Sequence, residues 1–282
     1  MSADFRWYPA PGKLNLFLHV LGRRADGYHL LQTVFRLIDR ADRVGVRMRD
    51  DGEILRASET PGVAEADDLC VRAARKLKEH TRGPSGAELA LEKILPIGGG
   101  LGGGSSDAAT VLIVLNRLWG LNLGRAELLE LALELGADVP AFVFGTNALA
   151  EGVGERLTAL SLPPAWYLIL TPQVSVSTKE IFAHFALTQD GKTLKIPPFF
   201  AGQGRNDLEV VACGLYPAVA EHLSWLRGHG DARMTGSGAC VFAEYPSESA
   251  ARAVHGQMPP EMRGFVARGL EHHPLADWVP AR

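Results

Sequence analysis

The stretch PIGGGLGGGSSDAAT runs from Pro96 to Thr110, and the rest of the chain is best interpreted outward from it. Six glycines crowd into a loop that leads directly into an apolar-faced segment with helical spacing. A glycine loop before a helix N-terminus directs several backbone N–H groups at one point and adds the positive end of the helix dipole. The stretch therefore predicts a phosphate-binding loop followed by a helix.

The start of this helix is indicated by its polar residues. Ser105, Ser106 and Asp107 can each cap free N–H groups, and apolar residues then recur every three or four positions. We expect the helix to run from Ser106 to Trp119. A flexible glycine-rich linker is the alternative, but linkers seldom adjoin a well-capped helix.

Three kinds of phosphate loop compete for the glycines. A P-loop needs a lysine directly after its last glycine, and here Gly104 is followed by two serines. A dinucleotide-binding loop fits G-x-G-x-x-G, but it also needs a second strand with an acidic residue about 20 residues later, where this chain begins another helix at Arg125. The protein-kinase loop comes with H-R-D and D-F-G segments, which this sequence lacks. All three interpretations are disfavoured.

The loop closely resembles the second signature motif of the GHMP kinases, a family of ATP-dependent small-molecule kinases. Four further segments match the family in the same order, so the resemblance covers most of the chain. They are PGKLNLFLHVLGRRADGYH at Pro11–His29, GADVPAFV at Gly136–Val143, EGVGE at Glu151–Glu155 and TGSGAC at Thr235–Cys240. Together they are similar to members that phosphorylate a hydroxyl of a cytidine-diphosphate-linked polyol on the route to isoprenoid precursors. The resemblance implies ATP, Mg²⁺ and such a small-molecule substrate.

Size and composition set the broad class. A chain of 282 residues suits one large or two medium domains, and we favour two. A net charge of −3 with scattered basic residues predicts no nucleic-acid partner. No apolar run is long enough for a membrane span, and the short segment before Lys13 holds no signal core and has no room for a transit peptide, so we expect a cytoplasmic protein. Three widely spaced cysteines suit buried thiols in a reducing compartment.

The coarse secondary structure mixes strands and helices without a strict βαβ repeat. Residues from Lys13 to Val20 alternate polar and apolar, which predicts a half-buried strand with Lys13 and Asn15 on one face. Further strands are predicted at 43–48, 88–94, 166–170 and 264–270, a hairpin around 236–238, and helices at 68–79, 125–135, 178–185, 207–226 and 247–257. The pattern restarts after Pro163-Pro164, so we place a domain boundary near residue 160.

The predicted class is α+β, and the named architecture follows from the resemblance. GHMP kinases have an N-terminal α/β domain with the glycine-rich phosphate loop and a C-terminal α+β domain that resembles a ferredoxin fold. The active site lies between them. We therefore expect an N-terminal ATP-binding domain over residues 1–160 and a C-terminal domain over residues 161–282.

Two residues are the candidates for phosphoryl transfer. Asp138 lies between a helix-ending Gly136 and Pro140, so on local sequence alone it is a turn or capping aspartate. Lys13 is a lone charge in its strand, and on local sequence alone it reaches solvent or pairs with a carboxylate. The resemblance instead implies that Asp138 orients the attacking hydroxyl and accepts its proton. It also implies that Lys13 lies beside Asp138 and offsets charge on the γ-phosphoryl group.

The ATP-binding residues implied by the resemblance are those of the loop and the first residues of the helix. They are Pro96, Ile97, Gly98, Gly99, Gly100, Leu101, Gly102, Gly103, Gly104, Ser105 and Ser106. Mg²⁺ is expected to screen the triphosphate. No acidic residue matches a family metal ligand, so no residue is assigned to the metal, and Ser106 with water is the expected contact.

The match also implies six substrate contacts, which are Asn15, Tyr28, His29, Val153, Thr178 and Phe182. Within this set, His29 is expected to bind the cytosine edge while the aromatic residues cover the base. On local sequence alone, Tyr28 and His29 follow a turn at Asp26-Gly27 and are ordinary loop residues. The chain departs from the family at Asp68, where an asparagine near the adenosine is expected.

Other functions remain open from the sequence. Another GHMP kinase, for mevalonate or homoserine, would keep the glycine loop but lack the GYH and EGVGE elements. A non-catalytic nucleotide-binding regulator would keep the loop without releasing ADP. An oxidoreductase with a Rossmann fold is the third alternative, and it would change NADH fluorescence.

Overall fold

The computed structural model describes residues 4–23, 27, 29–57, 63–185 and 204–280. Its strands are β1 Arg6–Arg23, β2 His29–Arg49, β3 Ile54–Arg56, β4 Gly86–Glu92, β5 Ala148–Gly152, β6 Arg156–Ala159, β7 Trp166–Leu170, β8 Ala232–Met234, β9 Val241–Tyr245 and β10 Gly264–Arg268. Its helices are α1 Leu69–Thr81, α2 Gly103–Leu118, α3 Arg125–Leu135, α4 Val139–Phe144, α5 Thr178–Phe185, α6 Glu209–Leu215, α7 Pro217–Arg227 and α8 Glu248–His255. The predicted α+β class is confirmed.

The first sheet is built on the long antiparallel pair β1 and β2. Its order is β3-β4-β2-β5-β6, with β1 also paired to β2, and only the β3–β4 pair is parallel. Helices α1 and α2 pack against it, and α3 packs against the helices α1, α2 and α4, around a core of mostly aliphatic side chains. The sequence predicted only residues 43–48 of β2, because its first half lacks a regular alternation. In the structure, this half pairs with β5 as well as β1.

Strand β1 is buried on both faces, so the prediction of a half-buried strand was wrong. All residues from Ala10 to Val20 are buried. Leu14 and Leu16 belong to a core that also holds Tyr167 and Phe242 of the second sheet. These two leucines belong to the apolar face. The polar face, which the alternation assigned to solvent, is covered by the glycine loop and the TGSGAC segment, since Lys13 Nζ donates to the Gly100 carbonyl and Asn15 Oδ1 lies 3.4 Å from Thr235 Oγ1. As predicted, Lys13 and Asn15 do share a face, since their side chains are hydrogen-bonded.

The second sheet has the order β10-β7-β9-β8, and all of its pairs are antiparallel. The chain runs through β7, then helices, β8, β9, α8 and β10, which is the βαββαβ sequence of a ferredoxin-like fold. The helix predicted over 207–226 is two helices. The break falls at Tyr216, because Pro217 lacks the N–H of a continuous helix and disfavours helical geometry in the residue before it.

The change of sheet falls between Ala159 and Trp166, close to the predicted boundary. The end of the chain then returns to the first part. Leu270 donates its N–H to the carbonyl of Leu37, and Leu275 packs into the core under the first sheet. The C-terminal segment therefore ties the two halves together.

Among the described residues, no helix is both long and apolar enough to cross a membrane. Cys70, Cys213 and Cys240 are free thiols. Burial raises the pKa of Cys240 to about 12, so this thiol stays protonated at neutral pH.

Candidate active site

A cavity of about 1240 Å³ is lined by strands β1 and β2, the glycine loop, helix α5 and the segment around Gly236 to Gly238. Pockets for one small ligand usually measure roughly 300–1000 Å³, so this cavity has room for two. The structure brings almost all of the predicted site residues to its wall. They are Lys13, Asn15, His29, Pro96 to Ser105, Asp138, Val153, Thr178 and Phe182. Ser106 does not line it, and Tyr28 lies outside the described residues.

The glycine loop crosses the cavity in a conformation that needs glycine. Gly98, Gly100 and Gly102 all have φ near +70°, the left-handed region that other residues rarely adopt. Gly100 also packs against backbone, because a Cβ there would collide with the carbonyl oxygen of Thr235 and lie 3.0 Å from that of Gly238. The loop is thus pressed between β1 and the TGSGAC segment, whose Cys240 donates its N–H to Gly99.

Helix α2 begins at Gly103, three residues earlier than predicted, and its N-cap Gly102 makes no side-chain capping bond. Ser105, Ser106 and Asp107 lie inside the helix and do not cap it, which corrects the predicted capping. An uncapped first turn leaves its N–H groups free to bind an anion. The geometry is therefore better suited to phosphate than the sequence indicated.

Ser106 is the exception among the predicted ATP contacts. Its side chain is fully buried, and within the described ranges its Oγ has no hydrogen-bond partner. The early start of α2 turns this residue away from the cavity. The structure therefore does not support a contact between the Ser106 hydroxyl and a metal ion.

Lys13 and Asp138 form an ion pair in the cavity wall. Lys13 Nζ lies 3.2 Å from Asp138 Oδ2, 2.6 Å from Asn15 Oδ1 and 3.1 Å from the Gly100 carbonyl. The lysine side chain is 3% exposed and the aspartate side chain 39% exposed. Asp138 is the N-cap of α4 but makes no side-chain capping bond, so its carboxylate faces Lys13 and the cavity. The simpler interpretation of Asp138 as a capping residue is thus not supported.

The opposite part of the wall holds the predicted substrate contacts. The His29 and Phe182 rings stack with centroids 4.8 Å apart, and Thr178 Oγ1 lies 2.7 Å from Ser237 Oγ. Burial, with a smaller contribution from Arg23, lowers the pKa of His29, so its ring is neutral at pH 7. His29 Nε2 is buried without a partner among the described residues. This nitrogen is available to a ligand.

One charged cluster in the wall was not predicted. Lys93 Nζ pairs with Asp42 and lies 2.8 Å from Asp107 Oδ2. Burial raises the pKa of Asp107 to about 7. Burial acts to lower the pKa of Lys93, but the two carboxylates outweigh it and raise this pKa. Two members of this cluster lie close to the glycine loop in the sequence, Lys93 shortly before it and Asp107 shortly after it. Asp42 lies on a distant strand, so no local pattern could predict that it joins them.

Asp68, where the family resemblance led us to expect an asparagine, is held by hydrogen bonds and an ion pair. Its carboxylate accepts hydrogen bonds from the N–H groups of Cys70 and Val71, as the N-cap of α1, and it pairs with Arg56 at 3.3 Å. It also lines the cavity. The acid in place of the expected asparagine is thus balanced by a nearby arginine.

The sequence matches two known families, described as GHMP kinases N terminal domain over residues 68–146 and GHMP kinases C terminal over residues 200–263. It is 62% identical over 97% of its length to a protein of Thiobacillus denitrificans and covers 98% of that protein. It is 61% identical over 96% of its length to one of Nitrosospira multiformis and covers 93% of it. Both are named 4-diphosphocytidyl-2-C-methyl-D-erythritol kinase.

Solved structures agree. A crystal structure of 4-(cytidine 5'-diphospho)-2C-methyl-D-erythritol kinase superimposes with a TM-score of 0.81 at 35% identity, over 94% of this chain and 99% of that one. Homoserine kinase from Cytophaga hutchinsonii superimposes with a TM-score of 0.71 at 18% identity, over 97% and 96% of the two chains. The second likeness shows a shared fold alone.

Proposed function

The chain belongs to the 4-diphosphocytidyl-2-C-methyl-D-erythritol kinases of the GHMP kinase family, and from this premise we propose how its cavity works. It is an ATP-dependent small-molecule kinase. It transfers the γ-phosphoryl group of ATP to a hydroxyl of 4-diphosphocytidyl-2-C-methyl-D-erythritol. The product is the 2-phosphate, an intermediate of the non-mevalonate route to isoprenoid precursors.

One observation carries the assignment of roles. The uncapped start of α2, the Lys13–Asp138 pair and the His29 ring all line a single cavity. A helix start that can bind phosphate, a carboxylate that can accept a proton and a ring that can contact the second ligand therefore line one cavity. A binding protein without catalysis would not need the ion pair beside the phosphate loop.

Asp138 is proposed to orient the acceptor hydroxyl and take its proton. The hydroxyl oxygen attacks the γ-phosphorus, the bond from this phosphorus to the β–γ bridging oxygen breaks, and ADP leaves. Lys13 stabilises charge on the transferred group, since its ammonium is held at the same point of the wall. The transition state of such transfers is loose, so positioning and charge stabilisation contribute more than the strength of the base.

ATP is proposed to bind with its phosphates on residues 96–105 and the first turn of α2. Backbone N–H groups supply the contacts there, so the loop needs glycines more than particular side chains. Ser106 is left out of this proposal, since its side chain is buried and its backbone N–H is donated to the Gly102 carbonyl.

The cytidine part is proposed to bind near His29 and Phe182, with Asn15, Val153 and Thr178 along the rest of the acceptor. Tyr28 stays a prediction. His29 Nε2 carries no partner among the described residues and can bind the base edge. In the structure, Phe182 stacks on His29 itself, so no base lies between these two rings. A bound cytosine would stack on the outer face of Phe182 or displace it.

Mg²⁺ is proposed to bind as a complex with ATP, with phosphate oxygens and water as most of its ligands. Within the described ranges, no group of three or more His, Cys, Asp or Glu side chains could hold a metal ion. Asp42 and Asp107 both form ion pairs with Lys93, so these two carboxylates are not free to bind the metal ion. The described residues thus fit the metal as part of the ATP complex, and they contain no cluster of ligands for a separate metal site.

We also propose that residues 1–160 and 161–282 are the two domains, since the change of sheet falls between Ala159 and Trp166. A cytoplasmic location is proposed from the three free thiols.

The experiment that tests the function is an assay for ADP release with the cytidine-diphosphate polyol, mevalonate and homoserine in parallel. Phosphorus NMR of the product identifies the oxygen that is phosphorylated. Activity is expected with the cytidine compound alone. Turnover of mevalonate or homoserine at a comparable rate would contradict the assignment, as would ATP binding with no product from any acceptor.

A further inference from the structure

We propose that Thr33 is a positioning residue: its hydroxyl fixes which end of the Asn15 amide faces Lys13, and through this amide it holds the Lys13 ammonium. The inference rests on the proposed function, because Lys13 is given its catalytic role there. Thr33 lies on β2, next to β1, and its side chain is 1% exposed.

The orientation follows from counting hydrogens. Thr33 has one hydroxyl hydrogen, and it donates this hydrogen to the backbone carbonyl of Phe17. Towards Asn15, the Thr33 oxygen can therefore only accept. The nearest amide atom of Asn15 is 2.9 Å away, so this atom must be the donor Nδ2. The other end of the amide, the oxygen Oδ1, then points to Lys13.

Lys13 depends on this orientation. Its ammonium has three hydrogens and three acceptors, and Asn15 Oδ1 at 2.6 Å is closer than Gly100 O or Asp138 Oδ2. With the amide reversed, an NH₂ group would face the ammonium, and donor would meet donor. The backbone of Asn15 is held in place, since its N–H is donated to Thr235 Oγ1 at 2.9 Å. The Thr33 hydroxyl thus favours this orientation from the Nδ2 end of the amide, while Lys13 Nζ and the Thr235 hydroxyl, 3.4 Å away, face its Oδ1 end.

A double-mutant cycle tests the proposal in the full-length enzyme. Thr33→Val removes the hydroxyl at nearly constant volume, and Asn15→Ala removes the amide through which Thr33 acts. We expect Thr33→Val alone to lower kcat by about tenfold or more, with the KM for ATP changed by less than about threefold. In the Asn15→Ala background, the same substitution should change kcat by less than about twofold.

Thr33→Ser and Thr110→Val are the controls. Serine keeps the hydroxyl, so it should retain kcat within about threefold. Thr110 is a fully buried threonine of α2 whose hydroxyl has no partner among the described residues, and its valine variant should keep both kcat and melting temperature.

Equal losses of kcat in both backgrounds would overturn the proposal, because the effect would then not pass through Asn15. A folded Thr33→Ser enzyme with a large loss of kcat would also overturn it, since packing of the methyl group would be responsible. If Thr33→Val does not fold, the serine variant alone decides. An unsubstituted enzyme without activity on the cytidine substrate would instead contradict the proposed function.

Discussion

Lys13 Nζ lies 3.2 Å from Asp138 Oδ2, and the two side chains differ sharply in exposure, 3% against 39%. The lysine is therefore fixed in the wall, while the carboxylate still faces the space that a substrate would enter. This asymmetry suits a pair in which one member stabilises charge and the other contacts a reacting hydroxyl.

Asp138→Asn and Lys13→Met should each lower kcat by at least roughly 100-fold, because each removes a charge at the reacting group. Steady-state kinetics measure the change, and circular dichroism confirms folding. Lys76→Met is the matched control, since Lys76 pairs with Glu134 on the surface. A folded variant with normal kcat would return its residue to a structural role.

Gly100→Ala should abolish measurable ATP binding in calorimetry. The new Cβ would need a left-handed backbone and would collide with the Thr235 carbonyl. Gly120→Ala is the matched control, because Gly120 has φ +67° but open space around it. It should lose about 1 kcal/mol of stability and keep its ATP affinity. Unchanged ATP affinity in a folded Gly100→Ala enzyme would contradict the phosphate loop.

Gly103→Val is also expected to abolish ATP binding, although not through backbone strain. Gly103 is the first residue of α2, and its φ is not in the left-handed region. A valine there would instead press on Asp42 and Lys93, each 3.1 Å from a Cβ at this position, and block the first turn. Calorimetry with ATP checks the loss.

Phe182→Ala should raise the KM for the cytidine substrate by roughly 5- to 150-fold, the range expected for the loss of one base-stacking contact. ATP affinity and melting temperature should stay near normal. His29→Ala should in addition relax discrimination against the uridine analogue, because the site then loses the polar group that reads the base edge. Loss of thermal stability with equal changes for both substrates would instead indicate core packing.

His273 should make the folded protein less stable in mild acid. Burial lowers its pKa from 6.5 to about 4, so between these values the unfolded chain binds more protons. The neutral His273 ring therefore makes its full contribution to the free energy of unfolding above pH 6.5. This contribution falls as the pH drops towards 4, by at most roughly 3 kcal/mol. His273→Asn keeps an acceptor for the Leu275 N–H but does not titrate. Urea unfolding should show a smaller acid loss in this variant, and equal losses would contradict the prediction.

Local sequence determined the parts of the protein whose chemistry is contained in a few neighbouring residues. The glycines of residues 98–104 required a loop, and α3 has the predicted bounds because its apolar spacing and the glycines at both ends act locally. The alternation in β1 placed Lys13 and Asn15 on one face. Family motifs then supplied the candidate site residues, and those that the structure describes line the cavity, apart from Ser106.

Only the tertiary structure decided what depends on segments far apart in the chain. Periodicity reports which face of β1 is apolar, but burial of its polar face comes from the glycine loop and the TGSGAC segment, which lie far away in the chain. The ion pair of Lys93 with Asp42 and the hydrogen bond between Thr33 and Asn15 likewise join segments that are separate in the chain. Such contacts depend on strand register and on packing. No single stretch of sequence determines these, because both depend on the positions of the other helices and strands.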